Sequence, residues 1–192
     1  MTPFKFSSAP TLVLMSCGTT EDVVSRLLAI ADPLVARLGW SRIALPHRPD
    51  PAARAALETA AAGPGGLLAL LTVDPGDWIQ GLGTWAEALG AWRQPALVVL
   101  PAAAHRSGAA AALVALLRQE GVPLVGLIQL GGDWDPEQRR QDGLPWLGAW
   151  PVDEAGPADA FPADQAGEEV REEAEATVIR LRRALQGLAA AQ

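Results

Sequence analysis

Short runs of apolar residues, each bounded by turn-forming residues, alternate along this chain with stretches whose apolar residues have helical spacing. A continuous apolar run of this kind predicts a strand that is buried on both faces, as strands of a parallel sheet are. A helix between two such strands provides the right-handed crossover that joins parallel strands. We therefore expect an α/β fold, a three-layer sandwich in which a mostly parallel sheet of five to six strands carries helices on both faces.

The individual elements follow from these patterns. Apolar runs predict strands at residues 11–15, 42–45, 66–73, 96–100 and 124–130, and a weaker run predicts a sixth strand at 146–150. Helical spacing predicts helices at 23–38, 51–62, 79–92, 108–120 and 168–188. Gly39 stands where the first of these helices ends.

The length of 192 residues is that of one ordinary domain. We expect a single domain spanning 1–192, in which residues 1–10 are an N-terminal extension and 151–167, rich in Pro, Ala and Asp, form a surface connection. The helix 168–188 carries an apolar stripe around Leu181. This stripe predicts packing against the sheet or against a second subunit.

Charge and composition exclude several kinds of partner. The formal net charge is -7 and the pI is about 4.8, so we expect no nucleic acid and no anionic membrane as partner. The longest apolar run, 96–104, contains Pro101 and is far shorter than the ~20 residues of a membrane span. The opening MTPFKFSSAP lacks the order of a signal peptide, and the single Cys17 excludes an internal disulfide. A cytoplasmic protein is therefore expected.

Polar loops follow the predicted strands, and in a parallel sheet ligands bind beyond the carboxyl ends of the strands. Gly18, Thr19 and Thr20 lead from the first strand into the first helix, where free backbone N–H groups favour an anion, so they are candidate cofactor-binding residues. The alternative is a simple helix cap formed by Thr19, with Asp22 at the third position. For Cys17, beside the same helix start, a thiol of lowered pKa and a buried side chain both stay open.

Other strand-end loops offer single candidates. Asp74 follows the third strand and is a candidate Mg²⁺ ligand if a phosphate shares the ion, whereas the alternative is a turn in the phrase DPGD. His47 and His105 lack a second ligand at metal spacing, so a catalytic role and a solvated loop position both stay open. Trp78 and Trp134 lie in such loops too, where they either stack on a flat ligand or pack within the protein.

A phosphate-binding loop of the GxxxxGK[ST] type is incomplete in the phrase SCGTTED. The second glycine and the lysine are missing. Lys5 is the only lysine of the chain, and it precedes the first predicted strand, so we expect it at the opposite end of the sheet. The motif alone gives little support for nucleotide chemistry.

Residues 84–151 resemble dethiobiotin synthetase, the ATP-dependent enzyme of biotin biosynthesis. The resemblance rests on TWAEALGAWRQPALVVLP, ALLRQEGVPLVGLIQL and GLPWLGAWP. In that family the corresponding segments are a helix before a Pro-led strand, a helix leading into a strand that ends near an adenine-contacting Asn, and an LGxLP-type strand. The resemblance implies a P-loop-NTPase-like sheet, ATP with Mg as the family's cofactor and a homodimer.

Extended to the amino terminus, the resemblance reaches individual site positions, several of which have lost the required residue. Residues 18–19 match the first two loop positions, and Leu45 stands in place of a lysine. Asp74 takes the place of a metal-binding Glu. Leu130 stands where the Asn is expected, with Gln129 beside it, so the resemblance implies Gln129 as a cofactor contact.

The phrase DPGDWIQGLGTWAEALG also resembles flavodoxin-like FMN reductases. In those proteins a Ser or Thr loop after the first strand holds the flavin phosphate, and a Tyr after the third strand reaches the flavin. This chain has no Tyr, so the SCGTT loop and Trp78 have to serve instead. The LPWLGAWP segment is left without a role, and this resemblance therefore ranks second.

The leading hypothesis is a degenerate dethiobiotin-synthetase-like protein that needs no cofactor and binds an unknown small molecule or protein without catalysis. Two alternatives stay open, a residually active synthetase that uses ATP with Mg and an NADPH-dependent FMN reductase that uses FMN. Phosphoryl transfer in the first depends on cations that hold the transferred charge. Because the loop glycine and lysine are missing, we expect Mg-ATP to bind no tighter than about millimolar.

Overall fold

The computed structural model describes residues 10–62, 65–105, 107–152 and 165–190. The strands in these ranges are β1 (Thr11–Met15), β2 (Ser41–Ala44), β3 (Leu67–Leu70), β4 (Ala96–Pro101), β5 (Leu124–Leu130) and β6 (Trp146–Trp150). The helices are α1 (Thr20–Leu38), α2 (Pro51–Ala61), α3 (Trp85–Ala91), α4 (Ala109–Gln119), α5 (Pro136–Gln141) and α6 (Gln165–Ala190). A short 3-10 turn (Ala102–His105) follows β4.

The strands form one parallel sheet of six strands in the order β2-β3-β1-β4-β5-β6. Helices α1 and α6 pack on one face, and α2, α3 and α4 pack on the other. Strand β1 is buried on both faces, since Val13 belongs to one apolar cluster and Leu14 to the other. The predicted α/β sandwich is confirmed, and double-sided burial explains why its strands are continuous apolar runs.

The predicted strands are confirmed in place, with differences at their ends. Strands β1, β5 and β6 have the predicted bounds, so the weak run 146–150 is a true strand. Strand β3 is shorter than the predicted 66–73. The apolar run continues past Leu70, but the backbone leaves the ladder and enters a turn in which the Gly76 N–H donates to Asp74 Oδ1 (2.8 Å). The end of an apolar run thus does not mark the end of a strand.

The first helix begins and ends where its capping residues are. The Thr19 hydroxyl accepts the backbone N–H of Asp22, as the capping interpretation predicts. Gly39 closes the helix in the left-handed conformation (φ 70°), which glycine adopts without a steric penalty.

The third helix is much shorter than the predicted 79–92 and spans only Trp85–Ala91. Ile79 and Gly83 instead pair in an antiparallel bridge, and Gly83 has a left-handed φ of 80°. The helix starts after Thr84, which forms a reciprocal capping box with Glu87. The apolar spacing of 79–84 therefore belongs to a loop.

The structure differs from the predicted elements at two further places. Helix α5 was not predicted, because its six residues PEQRRQ carry no apolar stripe. Helix α6 begins at Gln165, so the predicted connection 151–167 is too long at its end, and its residues 153–164 lie outside the described part of the chain. The N-terminal extension lies outside it as well, except for Pro10.

Helix α6 covers the free edge of β6. The Thr177 hydroxyl donates to the Ala149 carbonyl (3.1 Å), and Arg180 Nη1 donates to the Leu147 carbonyl (2.8 Å). A side chain at Gly148 would overlap the Thr177 hydroxyl, so glycine is required for this close approach. Unpaired carbonyls at a sheet edge can pair with a strand of another chain, and the hydrogen bonds from α6 occupy two of these carbonyls.

Candidate functional site

The carboxyl ends of the six parallel strands meet at one edge of the sheet. The connection after β1 runs to the face of α1, and the connection after β4 runs to the opposite face, where α4 lies. Such a change of direction between neighbouring strands opens a crevice, which is the usual ligand site of open α/β sheets. The loop after β1 and the turn after β3 border this position.

The structure brings two of the predicted site residues, Gly18 and Asp74, into contact. The Gly18 backbone N–H donates to Asp74 Oδ2 (2.7 Å), and the other carboxylate oxygen accepts the Gly76 N–H. Gly18 has a φ of 119°, a conformation that favours glycine. The Asp74 carboxylate therefore occupies a backbone N–H that an anion bound at the N-terminus of α1 would otherwise use.

Thr19 and Thr20 are exposed at the start of α1. The Thr19 hydroxyl donates to Asp22 Oδ2 (2.7 Å) while it accepts the Asp22 N–H (3.2 Å). The helix N-terminus thus carries its own acidic cap, and the anion-favouring dipole is partly neutralised.

Arg26 is turned toward the same loop. Its Nη1 donates to the Cys17 carbonyl (2.6 Å) and to Ser16 Oγ (3.4 Å), and its Nη2 lies 3.6 Å from Asp22 Oδ1. The Arg26 side chain is only about one-fifth exposed. Arg26 therefore holds the loop after β1 in shape with its charge shared by Asp22.

Cys17 is half-buried beside this cluster. Burial raises the pKa of its thiol, the Asp74 carboxylate raises the pKa further, and Arg26 opposes the rise only in part. The pKa of Cys17 is therefore raised and not lowered, because desolvation and the Asp74 charge outweigh the lowering effects of Arg26 and of a backbone hydrogen bond. At neutral pH the side chain is a thiol, which is a poor nucleophile.

Among the described residues, no group of three or more His, Cys, Asp or Glu side chains is arranged to hold a metal ion. The Asp77 N–H donates to the Asp74 carbonyl (3.2 Å), so the DPGD turn, the alternative to a metal-binding role for Asp74, is present. Leu45, which replaces a lysine of the resembling family, is buried in the core. His47 is exposed, and its carbonyl accepts the indole N–H of Trp85.

Gln129 lies away from this crevice, on β5, and β4 separates it from β1. It is fully buried, and its amide Nε2 donates to the carbonyls of Gly131 and Asp133 (both 3.0 Å). Its Oε1 accepts two hydrogen bonds from Arg139, at 3.0 and 2.7 Å. All four hydrogen-bonding positions of the amide are thus used, and they hold the loop after β5.

Arg139, which sequence reasoning missed, completes this arrangement from helix α5. Its side chain is 4% exposed, lies over the Trp146 ring (5.2 Å) and approaches Asp142 Oδ2 (4.0 Å). The only sequence signal was the Asp-Pro pair at 135–136, since Asp135 caps the helix and Pro136 is its first residue. The cation–π contact with Trp146 and the two hydrogen bonds to Gln129 hold the Arg139 guanidinium in one position.

A cleft of about 390 Å³ opens at the ends of β5 and β6. It is lined by Asp133 and Trp134 from the loop after β5, by Trp150 and Pro151 at the end of β6, and by Glu173 from α6. We name it the β5–β6 cleft. Its volume lies within the range of small-molecule sites, and the Gln129 amide holds the carbonyls of Gly131 and Asp133 in the loop beside it.

No protein-family model matches the chain, and no curated protein matches it significantly. Within the described residues no helix is long and apolar enough to cross a membrane.

Proposed function

We propose that the protein is a degenerate relative of dethiobiotin synthetase that binds a small molecule or a partner protein without transferring phosphate. The observation that carries the proposal is the carboxylate of Asp74 on the Gly18 backbone N–H. In an anion site this N–H would face a phosphate oxygen. A fixed negative charge at that place repels a phosphate and also removes a donor that would bind it.

No lysine, the cation that the resembling family uses in phosphoryl transfer, lies among the residues that the structure describes. Leu45 is buried where the resembling family has a lysine, and Lys5, the only lysine, lies outside the described residues. Arg26 is committed to the Cys17 carbonyl and to Asp22. Arginine also differs from lysine in reach and shape, so it does not replace a loop lysine directly.

The strand order bears on the flavin alternative. Flavodoxin-like sheets have the order 2-1-3-4-5, in which β1 lies between β2 and β3. Here β1 lies between β3 and β4, and a sixth strand follows β5. Trp78 is 71% exposed on its loop. The strand order therefore counts against the flavodoxin-like reductase, and a purified sample without visible flavin colour is the expected result.

Titration calorimetry with Mg-ATP tests the proposal. We expect no binding tighter than about 1 mM, which corresponds to roughly -4 kcal/mol. A thermal-shift titration of the same sample provides the second readout, because a ligand that binds the folded state raises its melting temperature. Binding in the micromolar range would contradict the proposal and favour a residually active synthetase.

A cytoplasmic location and a homodimeric state belong to the same proposal. The first is supported by the lone half-buried Cys17, since proteins of oxidising compartments more often carry disulfides. The second is supported by the resemblance alone, and sedimentation at several protein concentrations tests it.

A further inference from the structure

The β5–β6 cleft has a definite charge. Asp133 is exposed at its rim, and Glu173 lies on its α6 side with Arg180 Nη1 at 2.7 Å from its Oε1. The described residues that line the cleft include no Lys and no Arg. Because Arg180 compensates Glu173, the Asp133 carboxylate leaves the described lining of the cleft with a negative charge, which favours cations and repels anions.

The loop that carries Asp133 is preformed. Gly131 and Gly132 both have left-handed φ values, 64° and 65°, and a side chain at Gly132 would lie 2.6 Å from the Ala102 Cβ. Only glycine fits so close to the end of β4. The buried Gln129 amide fixes the carbonyls on either side of this turn. A ligand therefore meets a loop that needs little ordering, which lowers the free-energy cost of binding.

The aromatic walls of the cleft suit a cation with an apolar body. Trp134 is half-buried and packs edge-on against Trp146, with ring centroids 6.4 Å apart. The ring of Trp150 already has the Arg37 guanidinium at 5.1 Å from its centroid, so an intramolecular cation uses one of the two indoles. Indole rings attract ammonium groups more strongly than other aromatic side chains do.

We propose that the β5–β6 cleft binds a small organic cation, in which a protonated amine faces Asp133 and an apolar body lies against Trp134. The inference rests on the proposed function, since it names the class of ligand that a non-catalytic binding protein of this fold would take. It disfavours phosphate-bearing ligands in this cleft, because the phosphate would meet the Asp133 carboxylate, while the neighbouring Arg180 and Arg37 are already paired with Glu173 and Glu175.

Three compounds of one shape and different charge test the inference: phenethylamine, 2-phenylethanol and 3-phenylpropionate. At pH 7 the amine of phenethylamine is charged. Calorimetry on the full chain should give saturable binding of phenethylamine, with the neutral alcohol and the carboxylate at least about tenfold weaker. Equal binding of the three compounds, or no saturation by phenethylamine at about 10 mM, would overturn the inference.

Two variants place the binding in the cleft. Asp133→Asn should weaken phenethylamine by about tenfold and leave 2-phenylethanol unchanged, because only the amine is charged. Trp134→Leu should weaken both compounds, because the indole provides the apolar surface that contacts their shared body. Trp78→Leu, on a different loop, is the matched control and should change neither. If the Asp133→Asn variant is folded, as its melting temperature shows, and still binds phenethylamine as tightly as the unchanged protein does, the inference is contradicted.

The outcome for the proposed function is separate. Micromolar binding of Mg-ATP to the same sample contradicts the non-catalytic proposal, whereas binding that ignores charge contradicts only the inference about the cleft.

Discussion

Leu181 offers the sharpest test of how helix α6 is held. The side chain is fully buried and belongs to the apolar cluster beneath α1 and α6, together with Val178 and Ala174. Leu181→Ala removes three carbons, and at ~0.8 kcal/mol for each buried methylene the transfer loss alone is about 2.4 kcal/mol. The cavity that remains adds to this loss, and measured Leu→Ala costs run from about 2 to 5 kcal/mol.

Whether α6 can shift inward decides where in that range the loss of stability falls. A helix that can move inward fills the cavity and reduces the cost. Helix α6 is fixed over β6 by the hydrogen bonds from Thr177 and Arg180 to strand carbonyls, and over α1 by the Arg37–Glu175 ion pair (2.8 Å). Collapse would break these contacts. We therefore expect a loss in the upper half of the range, about 3–5 kcal/mol.

Urea denaturation of Leu181→Ala and of the unchanged protein measures this loss as a shift in midpoint at constant slope. Ile179→Ala is the matched control, because Ile179 lies on the same helix but is 48% exposed. We expect the control to change stability by no more than about 0.5 kcal/mol. If Leu181→Ala shifts the midpoint no more than the control does, α6 is not part of the core and the argument fails.

Three smaller predictions concern the loop after β1 and the edge of β6. Asp74→Ala should lower the free energy of unfolding by about 1–3 kcal/mol, because the Gly18 N–H loses its acceptor, and an unchanged urea midpoint would count against the contact. The raised pKa of Cys17 means that the unfolded chain loses the thiol proton first, so stability is full below the ordinary pKa of 9.0 and falls as the pH rises above it. Cys17→Ser, followed by denaturation against pH, should remove that fall. Thr177→Val should cost about 1–3 kcal/mol and promote association through β6, measured by sedimentation, because the Ala149 carbonyl loses its donor.

The sheet could be predicted from the sequence because burial on both faces leaves a direct mark on it. Each residue of 12–15 in β1 is fully buried, so the run is apolar throughout. Helix α1 could be predicted from the sequence equally well, since Thr19 and Gly39 mark its ends. Such features depend on a strand's or helix's own residues, and no distant partner is needed to recognise them.

The site was less predictable because its contacts join distant parts of the chain. The Asp74 carboxylate accepts the Gly18 N–H although the two residues are 56 positions apart, and no local sequence pattern predicts that contact. Gln129 was predicted as a ligand contact, but its amide is engaged by Arg139 from a helix too short to carry a periodic signal. The composition of a loop shows which polar groups it offers, whereas the fold decides which of them are already used.

Under the proposed function, three positions of the fold account for the loss of a phosphate site, and this bears on whether one substitution could restore it. A lysine at position 45 would put a charge where Leu45 is 3% exposed in the core, at a cost that exceeds the gain from one phosphate contact. Removal of the Asp74 carboxylate frees the Gly18 N–H but also leaves the Gly76 turn without its acceptor. Arg26 supports the Cys17 carbonyl, so turning it toward a phosphate would release the loop that must hold that phosphate. Because each position now stabilises the loop it belongs to, nucleotide binding in the proposed relative would require several coordinated changes, whereas the β5–β6 cleft formed by the described residues depends on none of them.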